Sequence, residues 1–314
     1  MNSLVTGCAG FIGSWLSERL LELGHEVIGV DCFIDYYPRG MKEMNLKPLR
    51  GNENFLFIPY SLLNLDLNEI LKDVDYVFHQ AARAGVRHSW GRNFGVYTDN
   101  NILATQRLLE ACRNSDVKKV IYASSSSVYG DVDSLPMKES DLPRPVSPYG
   151  VSKLAGEHLC HLYHKNYGIN SMSLRYFTIY GPRQRPDMAF NKFTRAILND
   201  KEITIYGNGK QTRDFTYVDD AIEANILAMK SQQKDGVYNI AGGSKTTVND
   251  CIKILEEIIG KKAIVRNIET QKGDVKHTYA DTSRAAKDLG YKSKVSLREG
   301  LEKEVEWIKS IESV

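Results

Sequence analysis

The sequence predicts an α/β protein: a doubly wound parallel sheet followed by a smaller C-terminal α/β unit. Three observations carry this. Short β-branched or apolar runs alternate with longer helical patterns through the first half. A glycine-rich turn joins the first such run to the first helical pattern. After Pro182 and Pro186 the elements shorten and the alternation fades.

Taken in order, Ser3 to Val5 reads as a first strand and Trp15 to Leu23 as a helix with Leu16, Leu20 and Leu23 on one face. Glu26 to Val30 and Asp75 to Phe78 read as strands. Asn101 to Cys112 reads as a helix, Lys119 to Ala123 as a strand, and a long helical stretch runs to Lys165. Met172 to Tyr176 is an apolar run. The second half predicts helices at Asn191 to Leu198, Asp219 to Met229, Val248 to Ile259 and from Leu297. Short strands are expected at Glu202 to Tyr206 and Gly236 to Ile240. The expected units are 1–175, with a returning segment near 212–242, and 176–314.

Composition excludes several classes. The 314 residues carry 41 basic and 39 acidic side chains, net +2. That balance gives no global field for gripping nucleic acid or an anionic membrane. No apolar run approaches membrane-spanning length. The N-terminus runs straight into a strand-and-glycine pattern, so no leader is expected. Five widely spaced cysteines without a CxxC pair suggest reduced thiols, no metal site and a cytoplasmic protein.

Gly7, Gly10 and Gly13 follow the first strand and open the first helix. One glycine makes the tight turn, one admits a pyrophosphate to the backbone, and one lets helix pack on strand. The helix start offers free N–H donors and a positive dipole end. Asp31 closes the second strand, where a carboxylate can accept bonds from both adenosine ribose hydroxyls and repel a 2′-phosphate. Cys32 and Phe33 beside it bring no positive charge, which favours NAD over NADP.

Tyr149 and Lys153 stand four apart and share a helix face. A phenol's ordinary pKa is near 10, too high for a base at neutral pH, and a nearby cation lowers it. Four serines, Ser124 to Ser127, follow the strand Lys119 to Ala123, at the carboxyl end of a strand, where doubly wound folds bind ligands. YxxxK alone is a common surface pattern. Glycine loop, Asp31, serine run and YxxxK in this order point together to a hydride-transfer site.

At this point the sequence resembles the extended short-chain dehydrogenase/reductases over essentially the whole chain. The matching segments are TGCAGFIG at 6–13, HQAA at 79–82, SSSSVYG at 124–130, SPYGVSK at 147–153, RYFTIYGPRQRPDMAF at 175–190, RDFTYVDD at 213–220 and KGDVKHTYAD at 272–281. Within that group it is most similar to the UDP-glucuronate 4-epimerases, through Ala84 to Arg87, the serine run, Thr178 and the GPRxRPDMAF segment. The resemblance implies a Rossmann-type cofactor domain and a set of roles. Tyr149 is the base, Ser125 its partner, and Lys153 holds the nicotinamide ribose. Asn101 is a supporting residue. Phe11, Ile12, Ala81, Ala82 and Tyr176 join the glycines and Asp31 around NAD. Arg213 and Asp274 hold the diphosphate and uridine ribose, and Arg185 seats the nucleotide or closes the site. Arg87, Asn191 and Tyr206 also face the UDP-sugar. Ser126, Ser127 and Thr178 meet the sugar's C5 substituent, where small hydroxyl donors suit a carboxylate.

Two departures stand out: Gln80 where many relatives carry Leu, and Ser61 where many carry Asp. Ser127 also stands where sugar dehydratases and decarboxylases bear an acid. The expected activity is therefore interconversion of UDP-glucuronate and UDP-galacturonate through a 4-keto sugar. A 4-epimerase for UDP-glucose or UDP-N-acetylglucosamine, a UDP-glucuronate decarboxylase, and a non-catalytic NAD sensor stand as alternatives. The resemblance also implies a homodimer, with helices Asn101 to Cys112 and Val151 to Tyr163 forming a four-helix bundle.

Overall fold

The computed structural model describes residues 1–132, 134–270 and 272–312. Its first strands are β1 (Asn2–Thr6), β2 (Glu26–Val30), β3 (Phe55–Ile58), β4 (Tyr76–His79), β5 (Lys119–Ser125) and β6 (Ser171–Tyr176). Then come β7 (Ile179–Tyr180), β8 (Glu202–Tyr206), β9 (Thr212–Asp214), β10 (Thr216–Tyr217), β11 (Asp235–Ile240), β12 (Lys245–Thr247) and β13 (Ile264–Ile268). Among the described residues, one sheet holds seven strands in the order β11-β6-β5-β4-β1-β2-β3. All its pairings are parallel.

Alternation explains why both faces are covered. Leu4 packs into one apolar cluster and Val5 into the other, and Val77 and Phe78 divide in the same way. Successive side chains of a strand point to opposite faces. Fully burying each such aliphatic side chain is worth about 1.5–3 kcal/mol. Helices Phe11–Glu22 and Val218–Lys230 pack together on one face, Ala104–Cys112 and Pro148–Tyr167 on the other. The chain order reverses between β1 and β4, which is where such sheets open a ligand crevice.

Three two-stranded ladders lie outside this sheet: β7 with β10 and β8 with β13 in parallel, β9 with β12 antiparallel. Strand β11 returns from the far half of the chain to pair with β6.

Elements the sequence reading passed over are β3, β7, β9, β10, β12, β13 and the helices Arg39–Leu46, Leu67–Ile70 and Ser283–Leu289. The helix expected from Asn101 begins earlier. Helix Phe94–Tyr97 runs through a π-helical turn, Thr98–Leu103, into Ala104–Cys112. No described helix is long and apolar enough to cross a membrane.

Candidate active site

Two cavities open on the C-terminal side of the sheet. The narrow one, about 210 Å³, runs along the glycine loop. Gly7 adopts φ +74°, and a Cβ there would lie 2.8 Å from the Ala81 nitrogen on the neighbouring strand end. A Cβ on Gly13 would lie 2.1 Å from the Gly7 oxygen, so the helix seats against the loop only with glycine. Helix Phe11–Glu22 starts at Gly10 with no side-chain cap and no acid in its first turn. Its free N–H groups therefore suit an anion. Asp31 Oδ2 accepts from Ala9 N at 3.2 Å and Oδ1 from Phe33 N at 2.8 Å, which shapes the loop from the side. These features fit an NAD-type dinucleotide.

Of the residues expected around the cofactor, Gly7, Gly10, Phe11, Ile12, Gly13, Asp31, Ala81, Ala82, Tyr149, Lys153 and Tyr176 line this cleft. Asn101 does not; its neighbour Asn100 does. Buried Asn101 instead accepts from Arg83 N at 2.7 Å and donates to Arg83 O and Ser152 Oγ. It supports the cleft wall from behind. Ser61 does line the cleft, and its oxygen accepts from Leu63 N.

One cation was missed. Lys42, on helix Arg39–Leu46, lines the cleft and its charge acts on Asp31. Burial raises the Asp31 carboxyl, and Lys42 pulls it back down. Burial in turn lowers Lys42, against the pull of Asp31. The sequence neighbours of Asp31 carry no charge, yet a helix eleven residues on delivers one.

Ser147 caps helix Pro148–Tyr167, accepting from Gly150 N at 3.1 Å, with Pro148 in the first turn. Tyr149 therefore sits in the first turn and Lys153 one turn later. Ser125 hydrogen-bonds the Tyr149 side chain, and the Tyr149 ring meets Tyr97 edge-on at 6.2 Å. The expectation that Lys153 lowers the Tyr149 pKa is not met. Burial raises the phenol; the Ser125 hydrogen bond and the Arg185 charge oppose it. Lys153 is 4% exposed, its Nζ donates to Ala123 O at 2.7 Å, and burial lowers it to about 7. Both groups are desolvated, and desolvation outweighs their spacing.

Behind them lies a buried ionic cluster. Glu157, one further turn along the helix, takes two bonds from Arg175, at 2.9 and 2.7 Å, and one from Ser124 Oγ. The Arg175 guanidinium also stacks 4.5 Å from the Tyr129 ring. Gln80 joins Asn225 and Tyr176 in a polar triangle on the cleft floor, with Nε2 donating to Asn225 Oδ1 at 3.0 Å. His79 is buried between Thr6 and Thr105 and held near pKa 3, so it is a neutral structural bridge.

The wide cavity, about 1220 Å³, holds Arg87, Thr178, Tyr206, Arg213 and Asp274 among its lining residues. Arg87 pairs with Asp274 at 2.6 Å and stacks 3.8 Å from Tyr206. Burial pushes the Arg213 guanidinium down, Asp274 pulls it up, and Arg87 opposes it again. An anionic ligand would relieve that. Four expected substrate residues lie elsewhere. Arg185 lines the narrow cleft, with a two-pronged pair to Asp187. Asn191 is fully buried, and its side chain is committed to Gln184 and Arg195. Ser126 and Ser127 form the turn after β5 and line neither cavity.

Known proteins share this fold. The chain is 48% identical to the UDP-glucuronic acid 4-epimerase of Bacillus cereus, solved with UDP-glucuronic acid and NAD, over 99% of this chain and 100% of that one, with a TM-score of 0.96. It is 40% identical to the UDP-glucuronate 4-epimerase of Thermodesulfobacterium geofontis, over 98% of this chain and 95% of that one. It is 44% identical to a Bacillus subtilis protein called an uncharacterised UDP-glucose epimerase, YtcB, over 99% of both chains. The family model for NAD dependent epimerases and dehydratases matches residues 3–241, and the chain belongs to that family.

Proposed function

We propose that this chain interconverts UDP-glucuronate and UDP-galacturonate by inverting C4 of the sugar. The observation that carries the reading is Tyr149 and Lys153 together in the cleft lined by the glycine loop, with Ser125 acting on the phenol, beside a wide basic cavity. Relatives at 48% and 40% identity named for this activity support it.

The glycine loop, Asp31 and Lys42 hold the dinucleotide. When bound, the cofactor would take hydride from C4 and return it to the opposite face of the 4-keto sugar, and its positive charge would favour a nearby phenolate. Tyr149 takes the proton of the sugar C4 hydroxyl and returns it, with Ser125 bonded to the phenol throughout. Lys153, pinned by the Ala123 carbonyl, fixes the cofactor ribose. Arg213 and Arg87 hold the diphosphate. Thr178, on the wall of the wide cavity, meets the C5 carboxylate with a neutral donor; the Ser126–Ser127 turn lines neither cavity and would have to shift to join it, and Ser127 supplies no acid to protonate or expel a group.

In the same reading, residues 1–175 with the returning segment near 212–242 bind NAD, and 176–314 mainly bind the nucleotide sugar. Val96, Leu103, Val151, Leu162 and Tyr167 are exposed on the helices at 94–112 and 148–167 and would be buried in a homodimer. All five cysteines are free thiols, which suits the cytoplasm.

The test incubates purified protein separately with UDP-glucuronate, UDP-glucose and UDP-N-acetylglucosamine, following C4 configuration by proton NMR. UDP-galacturonate from the first, without added reductant, is the expected product. A UDP-pentose product would make the chain a decarboxylase. Turnover of neutral sugars only would keep the chemistry and remove the carboxylate role of Ser126, Ser127 and Thr178.

A further inference from the structure

The segment 181–187 touches both cavities. Arg185 lines the narrow cleft, and Pro186 and Asp187 line the wide one. Two bridges tie this segment to the cofactor half. In one, Tyr36, from the loop after β2, donates to Asp187 Oδ2 at 3.0 Å. The other is a clamp on the first helix. Trp15 Nε1 donates to Pro182 O at 2.9 Å. Arg183 stacks 3.9 Å from the Trp15 ring, donates to Ser14 Oγ at 3.2 Å and lies 2.7 Å from Glu18 Oε1. Arg183 holds this place at φ +70°, a left-handed conformation that a non-glycine residue rarely adopts. A strained backbone persists where its surroundings over-determine it. The helix being gripped is the one whose N-terminus faces the cleft at the glycine loop.

We infer that Arg183 is a positioning residue that joins the dinucleotide helix to the segment carrying Arg185, so that occupancy of the wide cavity tightens the grip on the cofactor. This rests on the proposed reading of the wide cavity as a nucleotide site. A ligand contacting Pro186 and Asp187 orders the segment. Through Arg183 and Trp15 the segment then holds the helix, and through Asp187 it holds Tyr36 over the cleft.

The experiment follows NAD retained by the holoenzyme after rapid desalting, with and without saturating UDP. UDP is expected to slow NAD loss by about tenfold, within the range of ordinary site-to-site coupling. Asn tolerates the left-handed backbone, so Arg183→Asn removes the clamp without adding strain. In that variant the UDP effect is expected to fall below about twofold. Trp15→Phe keeps a ring under Arg183 and loses only the Pro182 bond. It should leave an intermediate effect, and it carries the test if Arg183→Asn does not fold. An undiminished UDP effect in the variants, or UDP binding to the parent without slowing NAD loss, overturns the inference alone. A parent that retains NAD but binds no UDP overturns the reading of the wide cavity as well.

Discussion

The narrow cleft is walled by strand ends and helix starts of one continuous sheet, and nearly every group behind it is buried and bonded. The wide cavity is walled by strands of the five-residue and three-residue ladders, helix Ala189–Leu198, a loop and exposed charges such as Arg87. In the first region position is enforced by packing: Gly13 cannot carry a Cβ, the Asn101 amide makes three bonds to Arg83 and Ser152, and Glu157 and Arg175 neutralise each other out of water. In the second, position comes from ion pairs and stacking that solvent reaches. In the proposed reading, chemistry falls where geometry is stiff and the sugar nucleotide binds where it is not.

Substitutions can break or sharpen that contrast. The largest expected effect is Tyr149→Phe, which removes the oxygen assigned to proton transfer in the proposed mechanism and should lower kcat/KM on the order of a thousandfold. NAD retention and the thermal midpoint should stay near those of the parent. Next is Glu157→Gln. It leaves the Arg175 charge uncompensated inside the protein and should cost about 3 kcal/mol in urea unfolding. A loss under 1 kcal/mol there would mean the stiff region is softer than its packing implies. Arg213→Ala should act in the opposite manner. KM for the UDP-sugar should rise roughly thirtyfold, with kcat and stability little changed. Unfolding of that variant would erase the contrast.

The smallest effect is a pH dependence. The Lys153 ammonium is held near 7 in the folded protein, below the ordinary lysine value. Between those values the unfolded chain binds more protons, so this lysine contributes stability that grows as pH rises from about 7. In cofactor-free protein, the stability difference between the parent and Lys153→Met should shift in the parent's favour by about 1–2 kcal/mol from pH 7 to pH 9.

Much of the stiff region was legible in the sequence, because its signals are local. Glycine spacing, a strand-end Asp and a YxxxK on one helix each act within a few residues. The strand pattern was readable for the same reason, although β3 was passed over. What stayed hidden depends on distance along the chain. Lys42 reaches Asp31 through a helix not foreseen, and Tyr36 meets Asp187 across 151 residues. The sign of the Tyr149 shift was hidden too. Spacing says that a lysine is near, but only the burial of both groups says which influence wins. Asn191 illustrates the converse: its motif suggested a ligand contact, and the fold spends its amide on Gln184 and Arg195.

The π-helical turn at Thr98–Leu103 has a consequence for how this site could change over generations. A wide turn of that kind holds one residue more than regular helix needs. Removing a single residue there would restore an ordinary helix while leaving the turns on either side nearly in phase, so the change would fall on the bulge itself. Asn101 lies inside that bulge, and its bonds to Arg83 and Ser152 are what such a deletion would disturb. The turn should therefore tolerate exchanges of side chain far better than changes of length, and its length is a record of the site it supports.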